Sequence, residues 1–179
     1  MNRVAVGLAL VSALIVPAGV EAAACPPTLP SQVRVMDCHL AALIADGLLR
    51  SATLRRLVDG IAALNGIVYV VVEPTPSVHK TTLGALSHRV GVSGNLRVLR
   101  IVVRQNRGDA ALATVAHELR HATELLEDPA AQSDAAVTAL FARIGVELER
   151  GVFETNAAIV SARVVFRELH ESRRRPPVK

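Results

Sequence analysis

Thr114-Val115-Ala116-His117-Glu118-Leu119-Arg120-His121-Ala122 is the stretch that decides how this chain is read. Leu112, Val115, Ala116, Leu119, Ala122 and Leu126 recur at helical spacing and form one apolar face. Asp109, after Arg107-Gly108, is the expected N-cap, and Pro129 closes the segment. On such a helix His117 and His121 stand one turn apart, about 6 Å along the axis, with their imidazoles on one side. Two neutral imidazoles at that separation can share one zinc ion at about 2.0–2.1 Å each. Glu118 is then beside the metal without ligating it, where it can take a proton from metal-bound water.

Upstream of this helix the pattern changes. Helical spacing starts near Asp37 or Leu40 and runs to about Leu49. A second helix follows over Ser51–Leu64, with Leu54, Leu57, Val58, Ile61 and Leu64 inward and Asn65-Gly66 as a left-handed stop. Ile67 to Glu73 is β-branched and almost wholly apolar, the signature of a buried strand. Leu83 to Val90 is a weaker strand candidate. Leu96 to Arg104 alternates, with Leu96, Val98 and Val102 on one side and Arg97 and Val103 on the other. The turn signal Gly91-Val92-Ser93-Gly94-Asn95 between the last two predicts an antiparallel hairpin. Downstream, Ser133 caps a helix reaching Ile144, with Val137, Leu140, Phe141 and Ile144 inward and Gly145 as its stop. A last helix runs from about Phe153 to His170. The expected fold class is α+β: a small antiparallel or mixed sheet packed against helices, with the motif helix followed by two more.

Composition narrows the function classes. The chain has 179 residues, room for one domain, and its aromatics are Tyr69, Phe141, Phe153 and Phe166. A net charge of +4 and so few stacking side chains argue against nucleic acid. Residues 1–24 read as a signal peptide: Arg3, an apolar run from Val4 to Val16, then Ala22-Ala23-Ala24 as the cleavage site. That run is shorter than the roughly 20 residues of a membrane span, and no other segment comes close. The mature chain, residues 25–179, is expected to be exported as a single domain with a polar C-terminal tail.

The cysteines, Cys25 and Cys38, both follow the cleavage site and read as one disulfide in an oxidising compartment. The rival reading lipidates Cys25 and leaves Cys38 free. Ala22-Ala23-Ala24 lacks the large aliphatic residue usual before a lipidated cysteine, which favours the disulfide.

A catalytic zinc needs three protein ligands and an open position. Glu154 is the expected third, because Ala158, Ala162, Val165 and Leu169 make an inward helical stripe that Glu154 extends by one turn. A carboxylate on such a stripe is costly unless paired or metal-bound. Glu147 and Glu149, in or near a loop, and Glu124, on the motif helix, are the competing ligands.

His117-Glu118-x-x-His121 resembles the motif of the zincin metallopeptidases, and Glu154-Thr155-Asn156-Ala157 resembles the Glu-x-x-Ala/Asp element of their gluzincin branch. The other zincin ending is absent, since Glu124 stands where a glycine is required. The resemblance spans roughly residues 51–170. It implies a small exported zinc metallopeptidase acting on a peptide or protein substrate, with His117, His121 and Glu154 as ligands and Glu118 as base. Gluzincins also carry a downstream Tyr or His for the oxyanion; only His170 follows Glu154 here. Tyr69, His79, His88 and Arg89 are candidates from the sheet region, and the residues do not choose among them. The alternative is a non-catalytic exported protein with a zincin-like scaffold and a structural or absent zinc.

Overall fold

Period-two and period-3.6 patterning sort the chain into a sheet and a set of helices that cover it. The computed structural model describes residues 29–30, 32–73, 83–87, 89–104 and 107–174. Strand β1 (Val33–Val35) is followed by helices α1 (Cys38–Arg50) and α2 (Ala52–Ala62), then β2 (Gly66–Val72), β3 (Gly84–Leu86), β4 (Gly91–Ser93) and β5 (Leu96–Val103). Helix α3 (Gly108–Glu127) carries the motif. Helix α4 (Asp134–Ile144), the strands β6 (Val146–Glu149) and β7 (Val152–Glu154), and helix α5 (Asn156–Arg174) complete the order.

The fold is α+β with a mixed sheet, as the patterning implied. Its order is β1-β2-β5-β3, with β4 also on β5. The β1–β2 and β2–β5 pairs are parallel, while β3 and β4 run antiparallel to β5. Val68, Val70, Leu99, Ile101 and Val103 are buried from the sheet against Leu112, Val115, Leu119 and Ala122 of α3. The core is therefore aliphatic, and Phe141 is its one buried aromatic among the described residues.

Caps explain most helix boundaries. Asp37 accepts from the Leu40 amide at the start of α1, Ser51 from Leu54 at α2, and Ser133 from Ala136 at α4. Asp109 does not cap α3, contrary to the sequence expectation. The helix begins at Gly108, with Arg107 in the N-cap position, and the Asp109 carboxylate turns instead to Arg50 and Arg173, at 3.3 and 2.8 Å. Gly66 is not a left-handed stop either; it opens β2, and an added Cβ would stand 2.4 Å from a methyl carbon of Leu126. It permits close packing of strand on helix. Ile144, expected inward, is 42% exposed.

The faces of β5 follow the alternation in its sequence. Leu96, Val98 and Val102 share one side, and Arg97 lies on the opposite, core side with Leu99, Ile101 and Val103. Its guanidinium crosses to the end of α3 and donates to the carbonyls of Leu125 (2.8 Å), Asp128 (2.6 Å) and Leu126. Leu125 and Asp128 also accept backbone amides, from Asp128 and Ala131, and the charge-assisted bonds from Arg97 add to these at the carbonyl end of the helix, so a buried arginine is stable there.

Cys38, the first residue of α1, carries no free thiol. The expected signal segment 1–24, the expected partner Cys25, His79 and His88 lie outside the described residues. No helix among the described residues is long and apolar enough to cross a membrane.

Arg97→Met should lower the unfolding free energy by about 2–3 kcal/mol, because it removes charge-assisted hydrogen bonds at the buried end of α3. Urea denaturation measures this, and an unchanged midpoint would mean the carbonyls find water instead.

Candidate metal centre

Helix α3 is packed on almost every side, and that is what makes its motif face inward. The aliphatic stripe from Leu112 to Leu126 fixes its rotation, and the imidazoles of His117 and His121 then emerge together toward a cleft of about 720 Å³. Their ring centroids are 4.9 Å apart. Glu118, one position on, points at β3.

Glu154 completes the cluster. Its Oε2 lies 3.2 Å from His117 Nε2, and its Oε1 lies 3.5 Å from His121 Nε2. One ligand atom from each of the three residues falls within 4.8 Å of the others. The sequence identified this residue, but its reason for doing so fails. Glu154 is not on the last helix: it ends β7, and α5 begins at Asn156. Thr155 stops the helix from extending back, since its hydroxyl accepts from the Ala158 amide at 3.2 Å as a cap does. Glu147 and Glu149, expected in a loop, belong to β6. Val146 pairs with Glu154 and Glu147 with Phe153, and the Glu147 carboxylate accepts from the Gly151 amide at the hairpin turn.

A glycine joins this hairpin to α4. A Cβ on Gly145 would sit 2.7 Å from the Glu154 carbonyl oxygen and 3.0 Å from that of Phe141. Its φ of −124° is ordinary, so the requirement is space and not left-handed backbone. From α4, Phe141 also sets its ring edge-on to His121, with centroids 5.4 Å apart.

Behind His121 is a group that sequence reading had weighed only as a rival ligand. Glu124 Oε2 lies 3.1 Å from His121 Nδ1, on the ring nitrogen facing away from Glu154. Thr155 donates to the same carboxylate, with oxygen distances of 3.0 and 3.1 Å. Arg120 Nε stands 3.4 Å away without making a hydrogen bond to it. His121, Glu124 and Thr155 are 6%, 8% and 3% exposed, so this arrangement is shielded from water. The signals were present as an i, i+3 His–Glu pair and a threonine three residues before a helical amide.

Burial raises the Glu118 carboxyl above the usual range, opposed by the nearby charges of His117 and His121 and by a hydrogen bond from the Leu86 backbone. Burial by itself would lower His121. Its hydrogen bonds to Glu124 and Glu154, with the charge of Glu118, raise it to about 9. Partial burial disfavours the Glu154 carboxylate, but hydrogen bonds and charge from His117 and His121 bring it down to about 2.

Among the candidates for an oxyanion donor, Tyr69 is engaged elsewhere, accepting from Arg34 at 2.7 Å. Arg89 and Arg100 line the cleft, and Arg100 is paired with Glu73. His170 is exposed on α5. The donor set itself, two imidazole nitrogens and a carboxylate oxygen, suits a zinc held by three protein ligands. No protein-family model, curated protein or solved structure matches the chain.

Metal-free protein should lose stability as pH rises. His121 is raised in the folded state, so its contribution is complete below about 6.5 and is lost through about 9. Glu118, also raised, acts in the same sense, because ionising it inside the fold is disfavoured. Glu154 is lowered; its contribution is complete above the usual carboxylate range and disappears only as pH falls through about 2. Thermal melting in excess chelator should give a midpoint that falls between these alkaline limits. A flat profile there would mean that His121 does not hold its proton in the folded state.

Proposed function

We propose that this protein is a zinc-dependent hydrolase of peptide bonds, with His117, His121 and Glu154 holding the metal and Glu118 as general base. The observation that carries this reading is the convergence of the three donors beside a buried carboxyl of raised pKa, in one cleft. A structural ion pair alone would not require a fourth titratable group at the same place.

A zinc ion bound by this set would supply Lewis acidity and lower the pKa of a water. The remaining work falls to the chain. Burial raises the Glu118 carboxyl above the usual carboxylate range, which makes it a stronger base to take a proton from water and return it to the departing amine. Leu86 keeps that carboxyl oriented through its backbone amide, and Gly84 lets β3 come this close. A Cβ on Gly84 would lie 3.0 Å from a Glu118 carboxylate oxygen and 2.6 Å from Thr114 Cγ2. Strand β3 is at the sheet edge beside the cleft, so an extended peptide could be held there by strand addition.

Export belongs to the same proposal. It is supported by the signal-like first 24 residues and by the absence of a free thiol at Cys38.

Purified protein should bind one zinc, and His117→Ala, His121→Ala or Glu154→Ala should remove it while circular dichroism keeps the helical signal. Glu118→Gln should retain the metal and lose about 10²–10⁴-fold in hydrolysis of an unfolded protein substrate. Zinc loss in Glu118→Gln would reverse the assigned roles. Stoichiometric zinc without hydrolysis by the parent would support the non-catalytic scaffold instead.

A further inference from the structure

Three features of the site are unused by that reading: the Glu124 carboxylate on α3, the Thr155 hydroxyl just before α5 and the contact between them. We propose that Glu124 and Thr155 are the positioning residues of the metal centre, fixing His121 with its Nδ1–H as donor and its Nε2 turned toward Glu154. The inference rests on the metal-binding reading of His117, His121 and Glu154.

The argument begins with hydrogen-bond roles. A carboxylate only accepts, so the 3.1 Å contact holds a proton on His121 Nδ1, and Nε2 is the nitrogen that would give up its proton and offer its lone pair to a metal. Nε2 is also the atom nearest Glu154. An imidazole held from behind by a carboxylate has its ring rotation fixed and its basicity raised, the usual support of a histidine ligand. Glu124 needs a partner of its own to hold this orientation, and Arg120, 3.4 Å away, makes no hydrogen bond to it through Nε. Thr155 supplies one, donating from an element that is not α3.

Thr155 has a second role, which ties the ligands together. It directly follows Glu154, and its hydroxyl accepts from the Ala158 amide while donating to Glu124. A single side chain therefore sets the start of α5, the orientation of His121 and the position of the preceding ligand. The Thr155 amide adds a bond to Glu154 Oε1 at 2.8 Å. Displacing Thr155 would disturb two of the three metal donors at once, whereas Glu124 acts on His121 alone.

The test measures zinc affinity by competition with a chromophoric chelator, without reference to activity. Glu124→Gln should weaken binding by about 10–100-fold, the range found for lost outer partners of metal-bound histidines. Thr155→Val should weaken it as well, and Thr155→Ser, which keeps the hydroxyl, should restore the parent value. A spectroscopic readout separates positioning from a general loss of structure. In the zinc-loaded parent and in Thr155→Ser, the His121 Nδ1–H proton should exchange slowly with solvent. In Thr155→Val and Glu124→Gln it should exchange faster. Should Glu124→Gln fail to fold, the Thr155→Val and Thr155→Ser pair decides. Parent-like affinity and exchange in Thr155→Val and in any folded Glu124→Gln would overturn the proposal and leave the metal site standing. Parent protein that binds no zinc would overturn both.

Discussion

The molecule depends on how ionisable groups on one helix are kept out of water. Glu118, His121 and Glu124 are all buried within two turns of α3, and each would be destabilising by several kcal/mol if left without a partner. His121 and Glu124 pair with each other, and the remaining partners come from other elements. β3 gives Glu118 a backbone amide, β7 gives His121 a carboxylate, and the start of α5 gives Glu124 a hydroxyl. The hydrophobic stripe of α3 supplies the driving force for burial, but the polar groups determine which neighbours are acceptable. Aliphatic packing alone tolerates small rotations of a helix; these contacts do not.

Close approach is the second condition, and glycine meets it where a side chain would collide. Gly84 admits β3 to Glu118, Gly145 admits the end of β7 to the last turn of α4, and Gly66 admits β2 to Leu126. None of the three has a left-handed φ; those belong to Gly94, Gly108 and Gly151. Two different uses of glycine thus coexist here. The space-saving ones surround the site or the helix that bears it, while Gly94 and Gly151 stand in the turns before β5 and β7.

The long elements were legible in the sequence because their periodicity is reinforced over many residues. The apolar face of α3 and the buried runs of β2 and β5 needed no tertiary information. Strand β1 was not legible: Val33–Val35 is too short for alternation to register, and its pairing with β2 comes only after two intervening helices. The β6–β7 hairpin was missed for a related reason. Val146, Glu147, Leu148 and Glu149 alternate, but all are exposed, so no buried face distinguishes them from a loop. Arg97 was read on the correct side of β5, with Val103, but its partners were not legible. The carbonyls at the end of α3 that hold its guanidinium are brought to it only by the tertiary fold. His117, Glu118 and His121 were readable because their spacing is local. Glu154 was found by extending a helical stripe one turn too far.

That error bears on how the third donor is delivered. On a helix, Glu154 and Thr155 would point about 100° apart and both would remain near the same side of the element. On an extended segment, consecutive side chains leave on opposite faces. Glu154 can then face the cleft while Thr155 enters the protein behind His121, and the exposures agree: Glu154 is partly exposed and Thr155 buried. The helix that follows gains its cap from the same threonine, and a helix N-terminus favours the negative charge gathered there by Glu124 and Glu154. A strand ending at its last ligand thus does more than a helix could at this position. It separates the metal-facing carboxylate from the residue that braces the neighbouring histidine, and it uses one peptide unit to join them.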